Sequence, residues 1–230
     1  MRFEDLNWFD IEQYLKHDTR LMIVLGACEQ HSYLSLLSDV RIPLALADAA
    51  SQQSSVLIAP TVNFGASPYF LDYPGTISLR VATFLDIVED LVRSVYRQGF
   101  RKLLILNGHG GNNPAQLRLQ EILNQLPELA ISWYAWWQSH SVDEVARKNN
   151  LRPTHASWLE AFPFTRVATL PQEPKRPPFV PGLVSAQQAR QIYGDGNFGG
   201  PYEVDQTIMD DIFHAALLDI LQLLKFQTAP

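Results

Sequence analysis

Four side chains suited to holding a cation follow two apolar runs in this chain. Leu21-Met22-Ile23-Val24-Leu25 leads into Gly26, Ala27, Cys28, Glu29, Gln30 and His31, and Asp39 comes ten residues after Glu29. Lys102-Leu103-Leu104-Ile105-Leu106 leads into Asn107-Gly108-His109-Gly110-Gly111-Asn112, with Asn113-Pro114 reading as a cap-plus-proline helix start. Glu29 and His31 are two apart, so in an extended segment both side chains point the same way. Carboxylates with imidazoles suit zinc, manganese or iron better than calcium, which prefers oxygen alone, or copper(I), which prefers sulfur. Asp39 also reads as the N-cap of a helix starting near Val40. Beside Glu29, Cys28 is either a thiolate nucleophile or metal ligand, or an inert buried thiol; the inert reading is favoured.

Both apolar runs read as buried parallel strands. Val56-Leu57-Ile58-Ala59 makes another strand ending at Pro60, and Ile131 to Trp137 a further one. Between them a helix from near Thr83 to Gly99 puts Phe84, Val88, Val92 and Val95 on one face. A helix opening at Pro114 does the same with Ala115, Leu119, Ile122, Leu123 and Leu126. Alternating strands and helices predict an α/β fold with a largely parallel sheet. In such a sheet the crevice outside the carboxyl ends of the strands binds ligands, which is where these residues fall. Pro171 to Pro181 is expected to be extended, wrapping the domain or reaching a neighbouring subunit. A last helix covers about Asp205 to Phe226. The chain, 1–230, reads as one domain without internal repeats.

With 230 residues, 47% of them hydrophobic, there is enough apolar material for a sizeable core. A net charge of −6 argues against a nucleic-acid footprint and suits a site that gathers carboxylates. A single cysteine excludes an intrachain disulfide, the acidic N-terminus lacks a signal peptide's apolar stretch, and no run is long enough to span a bilayer. A cytoplasmic location is expected, with no membrane partner.

At these residues the chain resembles the creatininase family of metal-dependent amidohydrolases. Glu29-Gln30-His31 with Asp39 matches its first segment, Asn107-Gly108-His109 its turn, Tyr73 to Leu79 its Pro-Gly-Thr loop, and His155-Ala156 the start of its His-Ala-Gly-Glu segment. The likeness runs from about Leu21 to about Gly200. There are departures. Ser32-Tyr33-Leu34 and Leu37-Ser38 replace the family's usual residues, and Gly111 stands where creatininase carries a metal-binding Glu, so strict creatinine hydrolysis is not supported.

The resemblance implies a three-layer α/β/α fold and a homo-oligomer, a hexamer. It also implies two divalent ions, with Asp39 bridging, Glu29 and His109 completing one site, and His31 and Glu160 the other. Water between two such ions ~3.5–4 Å apart loses a proton near neutral pH and attacks a carbonyl that a metal polarises. His155 is the expected general acid for the leaving nitrogen. Backbone N–H groups of Gly110 and Gly111 are candidate oxyanion donors, and Trp136 or Trp137 a candidate cavity wall, against a core role for either. His17, His140 and His214 receive no role. The expected activity is hydrolysis of the C–N bond of a small cyclic amide or formamide. The alternative is a noncatalytic homologue binding metal or a small molecule, which gains if the Glu160 carboxylate points away from the histidines.

Overall fold

The computed structural model describes residues 1–180 and 182–227. The chain runs through α1 (Trp8–Leu15), β1 (Arg20–Leu25), α2 (Ser38–Ser54), β2 (Leu57–Ile58), α3 (Val81–Gln98), β3 (Lys102–Asn107), α4 (Ala115–Leu123), β4 (Ala130–Ala135), α5 (His140–Lys148), α6 (Ala186–Tyr193) and α7 (Gln206–Leu223). The four strands form one sheet, ordered β2-β1-β3-β4, every neighbouring pair parallel. Leu25 pairs with Asn107, so β1 and β3 end level and deliver their following loops to one place.

The alternation of strand side chains builds two cores. Met22, Val24, Leu104 and Leu106 pack with Ile42 and Leu46 of α2, Val142 of α5 and Met209 and Ile212 of α7. On the opposite face Leu21, Ile23, Leu25, Leu103 and Ile105 meet Phe84 and Val88 of α3 and Leu119 and Ile122 of α4. A strand buried on both faces has no polar alternation, which is why β1 and β3 read as unbroken apolar runs. The α/β fold with three layers is the expected one. Among the described residues no helix is long and apolar enough to cross a membrane.

Several boundaries differ from the sequence reading. The strand expected over Ile131 to Trp137 stops at Ala135, and Trp136–Gln138 turn into a 3-10 helix. The strand expected over 56–59 shrinks to Leu57–Ile58. α2 starts at Ser38, which places Asp39 in its first turn; the cap position belongs to Leu37, whose side chain makes no capping bond. Asn113 is not a helix cap either: a 3-10 turn, Gly110–Asn112, precedes α4, and the Asn113 side chain accepts from Asn107 instead. α1, α5 and α6 were not anticipated, although Asn7, Ser139 and Ser185 cap them in the usual way. Residues 171–180 carry no regular element and lie on the domain, where Lys175 exchanges two backbone hydrogen bonds with Gly200 at 2.8 and 2.9 Å. Pro181 lies outside the described residues.

Candidate metal centre and its cavity

Level strand ends bring Glu29, His31 and His109 together, and the first turn of α2 crosses above them with Asp39. That close crossing depends on glycine. A Cβ on Gly108 would lie 1.8 Å from the Asp39 carbonyl oxygen, and one on Gly111 1.9 Å from the Ala66 carbonyl and 2.5 Å from His109 Nε2. The turn after β3 is stapled by its own amides. Asn107 Nδ2 donates to the His109 carbonyl at 2.8 Å, and Asn112 Nδ2 donates to the Gly26 carbonyl at 3.1 Å and to Asn107 Oδ1 at 3.2 Å. The Pro-Gly-Thr loop performs the same service for β1: Thr76 Oγ1 accepts from the Gln30 N–H at 3.1 Å, and Ile77 N donates to the Cys28 carbonyl at 2.8 Å.

Asp39 stands at the centre. Its Oδ1 is 2.9 Å from His31 Nε2 and its Oδ2 3.0 Å from His109 Nδ1. Glu29 Oε1 lies 3.4 Å from His109 Nδ1, and Glu160 Oε1 3.7 Å from His31 Nε2. Glu160 is aimed by its surroundings: Trp158, Leu159 and Phe162 sink into the core around it, and its second oxygen accepts the Ala156 N–H at 2.6 Å. The carboxylate thus points toward the histidines. Among the described residues three triads have ligand atoms within reach of one another: Glu29-Asp39-His109, His31-Asp39-Glu160 and Glu29-His31-His155.

The residues fit a divalent cation. Despite these short approaches, Glu29 Oε2, His31 Nε2 and Asp39 Oδ2 are buried and make no aligned hydrogen bond, a costly arrangement unless something else binds them. Each central histidine uses its remaining nitrogen on a backbone carbonyl, His31 Nδ1 on Glu29 at 3.1 Å and His109 Nε2 on Ala66 at 2.9 Å, as metal-ligating imidazoles do. Burial alone would lower the pKa of both, but the facing carboxylates outweigh it. Asp39 and Glu160 hold His31 well above the ordinary histidine value, and Glu29 and Asp39 do so for His109. Asp39 is held below the usual carboxylate range: burial opposes this, and the two histidines prevail. The cluster attracts positive charge.

A cavity of about 550 Å³ opens onto Glu29, Asp39, His109, His155 and Glu160, with Gly110 and Gly111 on its wall. His155 is 18% exposed, its Nδ1 lies 3.9 Å from Glu29 Oε1, and burial, helped by His31, lowers its pKa to about 4. Its ring stacks on Phe70 at 4.7 Å and 14° and lies 4.9 Å from Phe198. Trp136 is a correction. It is 2% exposed and packs in the core on Phe162, because the backbone leaves the strand at Ala135; Trp137 lines the cavity instead. Cys28 is half-buried, donates to the Gly75 carbonyl at 3.4 Å and does not line the cavity, and burial raises its pKa, all against a nucleophile. His17, His140 and His214 are exposed. Sequence reasoning missed Tyr69, Phe70 and Phe198 on the cavity wall and assigned no task to Gln30. The glycine-rich stretch around Phe198 was the available signal for a loop approaching the site.

A parallel three-layer α/β domain with a carboxylate and imidazole cluster at its strand ends is the class defined so far. The chain belongs to the creatininase family, whose model, described as creatinine amidohydrolase, matches residues 4–224. It is 31% identical over 116 residues to creatinine amidohydrolase from Pseudomonas putida, covering 47% of this chain and 45% of that protein. It is 32% identical over 99 residues to a mycofactocin precursor peptide peptidase from Mycolicibacterium smegmatis, 40% of each chain. Each match therefore spans less than half of the relative's length. A creatinine amidohydrolase crystal structure superposes with a TM-score of 0.82 at 21% identity, covering 100% of this chain and 98% of that one. A manganese form of creatininase gives 0.79 at 21%, covering 100% and 99%.

Proposed function

We propose that this chain is a metal-dependent hydrolase acting on the C–N bond of a small, uncharged cyclic amide or formamide. The observation that carries the reading is Asp39, which offers one oxygen to His31 and the other to His109, so the two triads sharing it would hold two divalent cations. Glu29 and His109 would complete one position, and His31 and Glu160 the other. Zinc, manganese or iron bound there would acidify water and polarise a carbonyl. The protein's own groups do the rest. Gly110 and Gly111 line the cavity wall, where their backbone N–H groups would serve a substrate oxygen, and His155 lines the same space.

Away from this cluster the cavity is walled by Tyr69, Phe70, Val81, Trp137, Leu159 and Phe198, and among the described residues no lysine or arginine lines it. A substrate carboxylate would be desolvated there without a partner, which favours an uncharged molecule. The family's creatinine amidohydrolase and its precursor-peptide peptidase have names that share C–N bond cleavage, which supports the reaction type. The noncatalytic alternative would gain from a Glu160 carboxylate turned away from the histidines, whereas this carboxylate faces His31.

The test is metal content of protein purified without added metal, by elemental analysis. About two equivalents per chain are expected in the wild type, about one in Glu160→Gln and none in Asp39→Asn, since a two-ion site shares its bridging ligand. Both variants should lose activity by roughly a hundredfold or more. A wild type free of metal, or Asp39→Asn with its full complement, overturns the reading.

A further inference from the structure

Gln30 lies between two of the site's residues in sequence, yet its side chain leaves the cluster and ends against His155. Its amide orientation is fixed by backbone. Oε1 accepts the Ser32 N–H at 3.0 Å and Nε2 donates to the Gly196 carbonyl at 3.1 Å. Flipping the amide would set oxygen against oxygen at Gly196 and donor against donor at Ser32. Gly196 leaves room for this: with φ at +94°, a Cβ there would fall 1.7 Å from Gln30 Oε1.

The same amide nitrogen sits 2.9 Å from His155 Nε2. An amide nitrogen donates and has no lone pair to offer, so His155 Nε2 is the acceptor and the ring's hydrogen sits on Nδ1. Nδ1 is the atom that faces Glu29. We propose that Gln30 is a positioning residue that fixes His155 as its Nδ1–H tautomer, so that His155 serves the reaction as a hydrogen-bond donor and not as a metal ligand or a general acid.

Two consequences follow from the tautomer. A metal ligand at Nδ1 would need the lone pair there and the hydrogen on Nε2, opposite the Gln30 N–H; that closes the Glu29-His31-His155 triad and leaves the two that share Asp39. A neutral imidazole surrendering its Nδ1 hydrogen would become an imidazolate, so the general-acid role expected from sequence gives way to stabilising charge on a substrate oxygen. What His155 touches rests on the proposed hydrolysis; the tautomer does not.

The experiment is NMR of metal-free protein labelled with 15N and 13C in histidine, at neutral pH, with the His155 signals identified by their loss in His155→Ala. The wild type should show a one-bond proton coupling at Nδ1 and an unprotonated Nε2. Gln30→Glu, whose carboxylate accepts, should move the hydrogen to Nε2, and Gln30→Met, which offers neither, should give a mixture. A purely structural role for Gln30 would not reverse a tautomer. An Nε2-protonated ring in the wild type, or an unchanged ring in the variants that keep the wild-type circular dichroism, overturns the proposal; should Gln30→Glu fail to fold, Gln30→Met decides. With a hydrolysed substrate in hand, Gln30→Glu should lower kcat by roughly a hundredfold while KM holds. Absence of metal or of hydrolysis would sink the proposed function and leave the NMR result standing.

Discussion

Glu29, His31, Asp39 and His109 hang from β1, β3 and the first turn of α2, whereas His155, Glu160 and Phe198 come from residues 153–200, where α6 is the one α-helix among the described residues. The strand-end half is set by ladder hydrogen bonds and by backbones in such close approach that no Cβ fits between them. The later half is set by side chains bonding to backbone and to each other. Asp195 is its hub, accepting from Lys175, from Tyr202 at 2.6 Å and from Ser32 at 3.4 Å, while the Phe198 N–H donates to the His155 carbonyl at 3.1 Å. Ladder-built geometry fails abruptly when one atom is added. A side-chain weave should give way bond by bond.

The sharpest way to break this contrast is a pair of neighbours. Gly111→Ala should destabilise by about 3 kcal/mol, the upper range for overpacking, because its Cβ meets the Ala66 carbonyl and His109. Gly110→Ala meets nothing within 4 Å and should stay within about 0.5 kcal/mol of wild type. Urea unfolding of both measures it; equal stabilities would mean that the strand-end half is not rigid.

Asp195→Asn probes the weave. Burial alone would raise the Asp195 pKa, but its bonds with Lys175 and Tyr202 outweigh it, so the folded value lies below the unfolded one. Its contribution is therefore present above the unfolded carboxylate value of about 3.9 and is lost as pH falls through the folded value. With solvent screening allowed for at this partly exposed site, the variant should lose about 1 kcal/mol at neutral pH. The gap to wild type should close on acidification below about pH 4, as read from unfolding midpoints across pH. A pH-independent gap would deny the charge its role. Cys28→Ser should have the smallest effect, under about 0.5 kcal/mol with little change in hydrolysis, because the thiol lies off the cavity. A hundredfold loss of turnover would restore the thiol mechanism.

Legibility in the sequence follows the same divide. β1 and β3 announced themselves because strands buried on both faces are continuous apolar runs, and their loops carried chemistry immediately after them. Asp39 was recognised but misplaced by two residues, inside the helix and not at its cap, since Leu37 leaves the end uncapped and no polar cap marks the start. The Phe70 and Phe198 clamp around His155 was invisible, because contacts between segments far apart in the chain leave no local periodicity. Glu160 was reached through resemblance to a family segment. Trp136 and Trp137 could not be told apart, because which of two adjacent tryptophans enters the core depends on where a strand ends, and no glycine or proline marks Ala135.

Asn107 precedes a glycine, the sequence pair most prone to deamidation, because a following residue without a side chain lets its backbone nitrogen attack the asparagine carbonyl. Here that nitrogen is engaged: Gly108 N donates to the Leu25 carbonyl at 2.8 Å, while Asn107 is fully buried with both ends of its amide hydrogen-bonded. The bonds that shape the turn around His109 also keep its asparagine from ageing. Chemical lifetime at this position is then a property of the folded state, and damage to it would accumulate in proportion to the time the chain spends open.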